Sequence, residues 1–428
     1  MRSFKDIIIL FFLVFLCSES FSQTAEEYNE MGKTAYENDE YEEAISYFSK
    51  AISLNPKYAP AYNNRGSVYV ALEKYEEALS DYTKAVELNP EFAKAYYNIG
   101  YVNYKLHHHQ EAITYFTKSL NLNSNDEETY LYRGVAFIEG LGEYIKALSD
   151  FTKAIELNPN YTEAYKRRGN TYSQIEEYSK AIYDFSKIIE IEPNDINAYL
   201  YRGLMFFETD NLIKALVDYD KAIELNPDFL NAYYGRGDVH VKLKAYSKAI
   251  FDYSKVIDLD PNNARAYYNR GLVYSKLNKY SDAILDYSKA IEIEPLYADA
   301  YCNRGNAYSN LEEYSKAISD YSKAIELNNN DAISYFNRGN VYGKGLKDFF
   351  NAIADYTMAI EINPEYADAY SNRGTAYKNL QDMINACMNW RKAYSLGNEL
   401  AKTLLDKYCE WFYDKTKIIN LNIYIYYY

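Results

Sequence analysis

Three consecutive histidines, His107-His108-His109, form the densest group of metal-capable side chains in the chain, and such a tract either binds a divalent cation or lies solvated in a turn. No glycine–lysine phosphate loop, paired-histidine zinc motif or nucleophile elbow accompanies it, so the residues for phosphoryl transfer or hydrolysis are missing. The expectation is a protein without catalysis, metal or cofactor. What recurs instead is a pair of opposite charges. Arginine stands at Arg65, Arg133, Arg168, Arg202, Arg236, Arg270, Arg304, Arg338 and Arg373. Following these in order are Asp81, Asp150, Asp184, Asp218, Asp252, Asp286, Asp320 and Asp355, with Asn389 after the last arginine. Chemistry of this kind bridges two elements, as in Arg65–Asp81 and Arg270–Asp286, or else leaves both groups solvated.

The elements that must position these charges follow from a period. Eleven glycines, Gly32, Gly66, Gly100, Gly134, Gly169, Gly203, Gly237, Gly271, Gly305, Gly339 and Gly374, fall 34 residues apart with two steps of 35. A tyrosine precedes each by four, an alanine follows by 12 or 13, and an aromatic residue stands four beyond the alanine. Proline closes eight copies. Spacings of three and four around a short turn predict two amphipathic helices per copy, with tyrosine, arginine and glycine on helix A, and alanine, aspartate and the ring on helix B. Proline ends helix B. Glycine inside a helix costs roughly 0.5–1 kcal/mol against alanine, so its recurrence implies close approach, expected between Gly66 and Ala78 and between Gly271 and Ala283. Two copies lack arginine, and both carry tyrosine in place of the aspartate: Met31 with Tyr47, and Ile99 with Tyr115.

In phase and content these residues resemble the tetratricopeptide repeat over residues 25–400. The resemblance implies an all-α, right-handed superhelical α-solenoid of antiparallel helix pairs, with copies at 25–58, 59–92, 93–126, 127–161, 162–195, 196–229, 230–263, 264–297, 298–331, 332–366 and 367–400. It also implies a groove lined by helix A, two, three and six residues before each glycine and one, four and five after. Those offsets place Asn64, Asn98, Asn269, Asn303, Asn337 and Asn372 with Asn306 and Asn340, either a ladder of amides for an extended peptide backbone or ordinary filler. They also place Tyr97, Tyr101 and Tyr104, and Leu200, Leu204 and Phe207, as anchors for a partner or as packing. Lys166 and Asn170 match the first pair of the family's carboxylate clamp, but Tyr201, Asn231 and Gly235 stand where the rest is required, so the clamp is not made.

The formal charge of −15 argues against nucleic acid as a partner. Residues 1–22 read as a signal peptide: Arg2 and Lys5, then an apolar run from Ile7 to Leu16, then Ser20 and Ser22. Export to the periplasm or cell envelope is expected, with an uncleaved anchor as the alternative; once cut, no span remains. Cys17 invites lipidation, although Val14-Phe15-Leu16 lacks the small residue that chemistry needs. A capping helix is expected at 399–410 after a hairpin about Gly397, which sets Cys387 opposite Cys409 for a disulfide in an oxidising compartment, two buried free thiols being the alternative. The tail 411–428 ends in Ile423-Tyr424-Ile425-Tyr426-Tyr427-Tyr428, a strand-like composition that either adds to a sheet edge or stays disordered. The two longer copies should lengthen a turn at Glu139-Gly140-Leu141-Gly142 and at Gly343-Lys344-Gly345-Leu346. The functional expectation is a scaffold that holds an extended polypeptide or partner protein along its groove; a carbohydrate-binding or enzyme-adaptor module is the other reading.

Overall fold

A computed structural model describes residues 23–409, and all regular structure within them is helical. The chain divides into two compact units, one ending at Thr209 and the other starting at Asp210. The first runs as antiparallel pairs, from Ala25–Glu37 with Tyr41–Leu54 to Thr162–Gln174 with Tyr178–Ile191, and ends on helix Ile196–Glu208. The second opens with helix Leu212–Leu225. It continues as pairs from Leu230–Lys242 with Tyr246–Leu259 to Ala367–Asn379 with Met383–Ser395, and closes with Glu399–Tyr408. Each unit is an α-solenoid, in which helix B also packs on the next helix A. In the first unit successive A helices touch one another, Ala25–Glu37 with Ala59–Ala71, then Ala93–Lys105, then Glu127–Leu141, and so form a wall there; in the second, Ala264–Lys276 touches Ala298–Asn310.

Local chemistry explains the regularity. The turn from helix A to helix B passes through one residue in the left-handed region, as at Asp39, Glu73, Glu176, Asn278 and Glu312. After helix B an asparagine or aspartate side chain accepts the amide two residues on, as at Asn55, Asn89 and Asp260. The same turn forms at Asn123 and Asn328, where proline is missing.

The glycines correct the sequence reading. A Cβ on Gly66 would lie 2.7 Å from Cε1 of Tyr82, and one on Gly271 2.7 Å from Cε1 of Tyr287, so the ring of helix B occupies the space rather than Ala78 or Ala283. Those rings are almost wholly buried, as are the two alanines. Alanine is among the nearest neighbours at Gly343, where Cβ of Ala352 would lie 3.3 Å away, and at Gly374, where the Ala386 carbonyl would lie 3.0 Å away. The longer copies also differ from expectation, since each absorbs its extra residue within helix A. The first extends to Glu127–Leu141 and stops at left-handed Gly142, whereas the second converts its end to a π-helical stretch, Val341–Leu346.

Cys387 and Cys409 are joined, Cα to Cα 5.9 Å, tying helix Glu399–Tyr408 to helix Met383–Ser395. Cys302 is a buried free thiol. The signal-peptide and tail readings lie outside the described residues, as does the last residue of the expected cap. Among the described residues no helix is long and apolar enough to cross a membrane.

Candidate functional site

The recurrent charges meet. Arg65 donates from Nε and a terminal nitrogen to the two carboxylate oxygens of Asp81, both at 2.7 Å. Arg270 does the same to Asp286 at 2.8 and 2.7 Å. The remaining guanidinium nitrogen reaches a hydroxyl on the preceding helix B: Ser49 from Arg65, Thr117 from Arg133, Ser254 from Arg270. Arg65, Arg133 and Arg270 therefore each join three helices and two copies, and the hydroxyl partner, one residue after the aromatic, was missed although its recurrence was readable. Burial pushes the Asp286 carboxyl above its usual range, with the Arg270 hydrogen bonds opposing it. Arg373 meets neutral Asn389 instead, and burial pulls its guanidinium downward.

The tyrosine four before each glycine is the platform for this cation. Arg65 lies 5.8 Å from the Tyr62 ring, Arg270 5.6 Å from Tyr267, and Arg304 5.5 Å from Tyr301. This accounts for the joint loss of arginine and aspartate in two copies. There Tyr47 and Tyr115 of helix B stack on Tyr28 and Tyr96, and Lys50 and Lys118 supply the cation over the rings.

The asparagine positions brace the array. Asn64 donates to Asn29 and Asn98 to Asn63; Asn269 donates to the Tyr234 hydroxyl and Asn303 to that of Tyr268. Asn337 donates to Asn306 and Asn372 to Asn340, while Tyr321 and Tyr356 donate to those same two acceptors. Every one of these bonds runs within a copy or to its neighbour, so the ladder is largely spent on holding successive A helices together. Lys166 lies 3.9 Å from Glu163, and Asn170 is half-buried on the same helix. Leu204 is exposed.

Tyr97, Tyr101 and Tyr104 do assemble, with Tyr132 of the next copy as the shared neighbour. Its ring lies 6.2, 5.2 and 5.9 Å from theirs. Tyr97 is buried, while Tyr101, Tyr104 and Tyr132 are half-buried. Lys94 sits 4.1 Å over Tyr97 and 3.6 Å from Glu128. Burial raises the Tyr132 hydroxyl to about 12, with Tyr101 and Glu128 adding to it, so at neutral pH it stays protonated as a donor. The result is a patch of partly solvated rings, with hydroxyl donors, on the helix A wall. The three histidines sit differently: His107 is the left-handed turn residue, His108 occupies the N-cap position of helix His109–Leu122 without a side-chain capping bond, and His109 packs edge-on to Tyr104.

Profiles of the tetratricopeptide repeat match this chain at residues 25–58, 47–80, 93–126, 129–161, 162–195, 264–297 and 298–331. A further repeat profile matches 66–106, 203–244, 237–278 and 347–381, and together they span well over half of the chain. Among solved structures the chain is similar to YrrB, described as a TPR protein with an unusual peptide-binding site. That likeness has 31% identity over 43% of this chain and 95% of that one, with a TM-score of 0.40. Yeast Tom70 is similar at 18% identity over 90% and 95%, TM-score 0.42, and the Cut9–Hcn1 hetero-tetramer of the APC/C at 14% over 91% and 97%, TM-score 0.45. No curated protein matches.

Proposed function

Because the chain belongs to the tetratricopeptide repeat family, we propose that it is a non-catalytic scaffold of eleven copies that binds an extended polypeptide or partner protein along the helix A wall. The observation that carries this reading is the contiguous patch of Tyr97, Tyr101, Tyr104 and Tyr132. The half-buried rings of Tyr101, Tyr104 and Tyr132 offer large apolar contact at low entropy cost together with hydrogen bonding, the combination that dominates binding energy at protein interfaces. The asparagines contribute less, since most of their amide groups already serve neighbouring copies. Working in an oxidising compartment such as the periplasm or cell envelope is supported by the disulfide between Cys387 and Cys409.

The test is capture from an envelope extract by the wild-type chain and by Tyr101→Ala/Tyr132→Ala, with helicity matched by circular dichroism. Specific polypeptides retained by the first and lost by the second support the scaffold. The same rings favour one other reading, since tyrosine faces also stack on sugars. Binding on a glycan array without polypeptide capture would transfer the protein to the carbohydrate class.

A further inference from the structure

Three residues after the glycine, most copies carry a ring: Tyr69, Phe137, Tyr172, Phe206, Tyr274, Tyr308, Tyr342 and Tyr377. That ring sits among cations. Arg304 lies 6.0 Å from Tyr308 and Lys316 5.2 Å from it, while Lys180 lies 5.4 Å from Tyr172 and Lys146 5.5 Å from Phe137. The arginine is accordingly bracketed by two rings, Tyr301 and Tyr308 around Arg304 or Tyr62 and Tyr69 around Arg65.

The copy built on Gly237 breaks this pattern while keeping both cations. His240 stands at the ring position, and Arg236 keeps Tyr233 at 5.4 Å on one side. An imidazole is shorter than a phenol, and a cleft of about 440 Å³ opens here, lined by Arg236, His240, Lys248, Leu216, Phe251 and Asp220. About 150 Å³ of void is enough to admit a benzene ring. His240 is only 7% exposed, yet its Nδ1 is buried without a hydrogen-bond partner, and its Nε2 lies 3.7 Å from Asp252. A buried polar atom of this kind costs stability unless something satisfies it. Arg236 is held at a fixed place by Asp252 and by Asp220 at 2.6 Å, which replaces the hydroxyl used in other copies. At the rim Phe251 is 56% exposed.

We propose that this cleft binds an aromatic side chain of a partner, a phenol in preference to a plain phenyl, in the place that the chain's own ring fills elsewhere. The ring lies between Arg236 and Lys248 and against Phe251. Nδ1 is closed off from solvent as it stands, so a small turn of the neutral imidazole opens it to accept from the hydroxyl of that ring, while the Nε2 edge stays toward Asp252. The cleft is formed by helices Leu212–Leu225 and Tyr246–Leu259 over helix Leu230–Lys242, so this site is separate from the tyrosine patch and stands or falls without it.

The experiment titrates N-acetyltyrosinamide and N-acetylphenylalaninamide into the full chain while following the imidazole proton resonances, with His240 assigned by its loss in His240→Gln. Saturable movement of the His240 signal at about millimolar ligand, several-fold tighter for the tyrosine compound, is expected. His240→Tyr and His240→Phe, which restore residues found at this place in other copies, should fold and should lose the binding, read in these two variants by saturation transfer from the protein to the ligand because the reporter imidazole is gone. An unmoved His240 signal, equal movement of the signals from His107, His108 and His109, or undiminished binding in both filled variants would overturn the proposal.

Discussion

Replacing Arg270 by leucine leaves Asp286 with a side chain only 7% exposed and no counter-charge, and also leaves the Ser254 hydroxyl without its donor. Removing one partner of a buried pair costs about 3–5 kcal/mol, most of it the desolvation of the orphaned charge. Asp286→Tyr alone is less costly, since Arg270 is 18% exposed and can turn toward water while keeping the Tyr267 face. The double variant reproduces the kind of solution used at Ile99 and Tyr115, where a tyrosine stack capped by Lys118 takes over, and Lys289 stands at the matching place after position 286. Its loss should be about 1–2 kcal/mol against about 3–5 for Arg270→Leu, so the coupling between the sites is about 1–4 kcal/mol before the Asp286→Tyr loss is added to it. The assay is urea unfolding of the four proteins of the cycle. Helical circular dichroism and tyrosine fluorescence should be recorded together, because repeat arrays need not unfold in one step. Losses that add to within about 0.5 kcal/mol would show the pairs to be independent, solvated charges and would remove the argument for arginine as the tie between copies.

Gly271→Ala gains about 1 kcal/mol of helix propensity but drives a methyl against the buried Tyr287 ring, so a net loss of about 1–2 kcal/mol is expected in the same melts, and a gain would be inconsistent with this packing. Reducing the disulfide should add two hydrogens to the intact mass and lower the stability of the terminal helix by about 3 kcal/mol from a loop of 22 residues; unchanged exchange protection in Glu399–Tyr408 would contradict it. Burial holds the His240 imidazole below its ordinary range. Lys248 and Arg236 reinforce that direction, while Asp252 and Asp220 oppose it. The unfolded chain thus takes this proton more readily than the folded one, so stability is full above a pH of about 6.5 and declines as pH falls below it, by at most about 1.4 kcal/mol per unit. His240→Phe should flatten that acid limb, and an identical slope in the two proteins would refute the assignment.

The period, the helix pairs and the partnership of arginine with aspartate were all legible in the sequence, because each depends on contacts inside a unit that recurs, and recurrence exposes them. When Arg65 and Arg270 keep their aspartates while Met31 and Ile99 keep tyrosines, covariation within one chain reports proximity. The partner of the glycines was not legible. Spacing says that Gly271 lacks a side chain for a reason, but whether Ala283 or Tyr287 fills the gap depends on the depth to which the ring penetrates between helices. Nor could sequence say what the asparagines do: Asn306 and Asn340 sit at groove offsets, yet their acceptors are already occupied by Tyr321, Asn337, Tyr356 and Asn372. Which lone pairs remain for a guest is settled by neighbouring copies, through distances of a few tenths of an ångström that no linear pattern encodes. Residue order alone therefore determined an array of helix pairs and the charges that link them. Tertiary packing decided which surfaces stay open, because a void such as the one beside His240 exists only as the difference between the space around a site and the side chain that fills it.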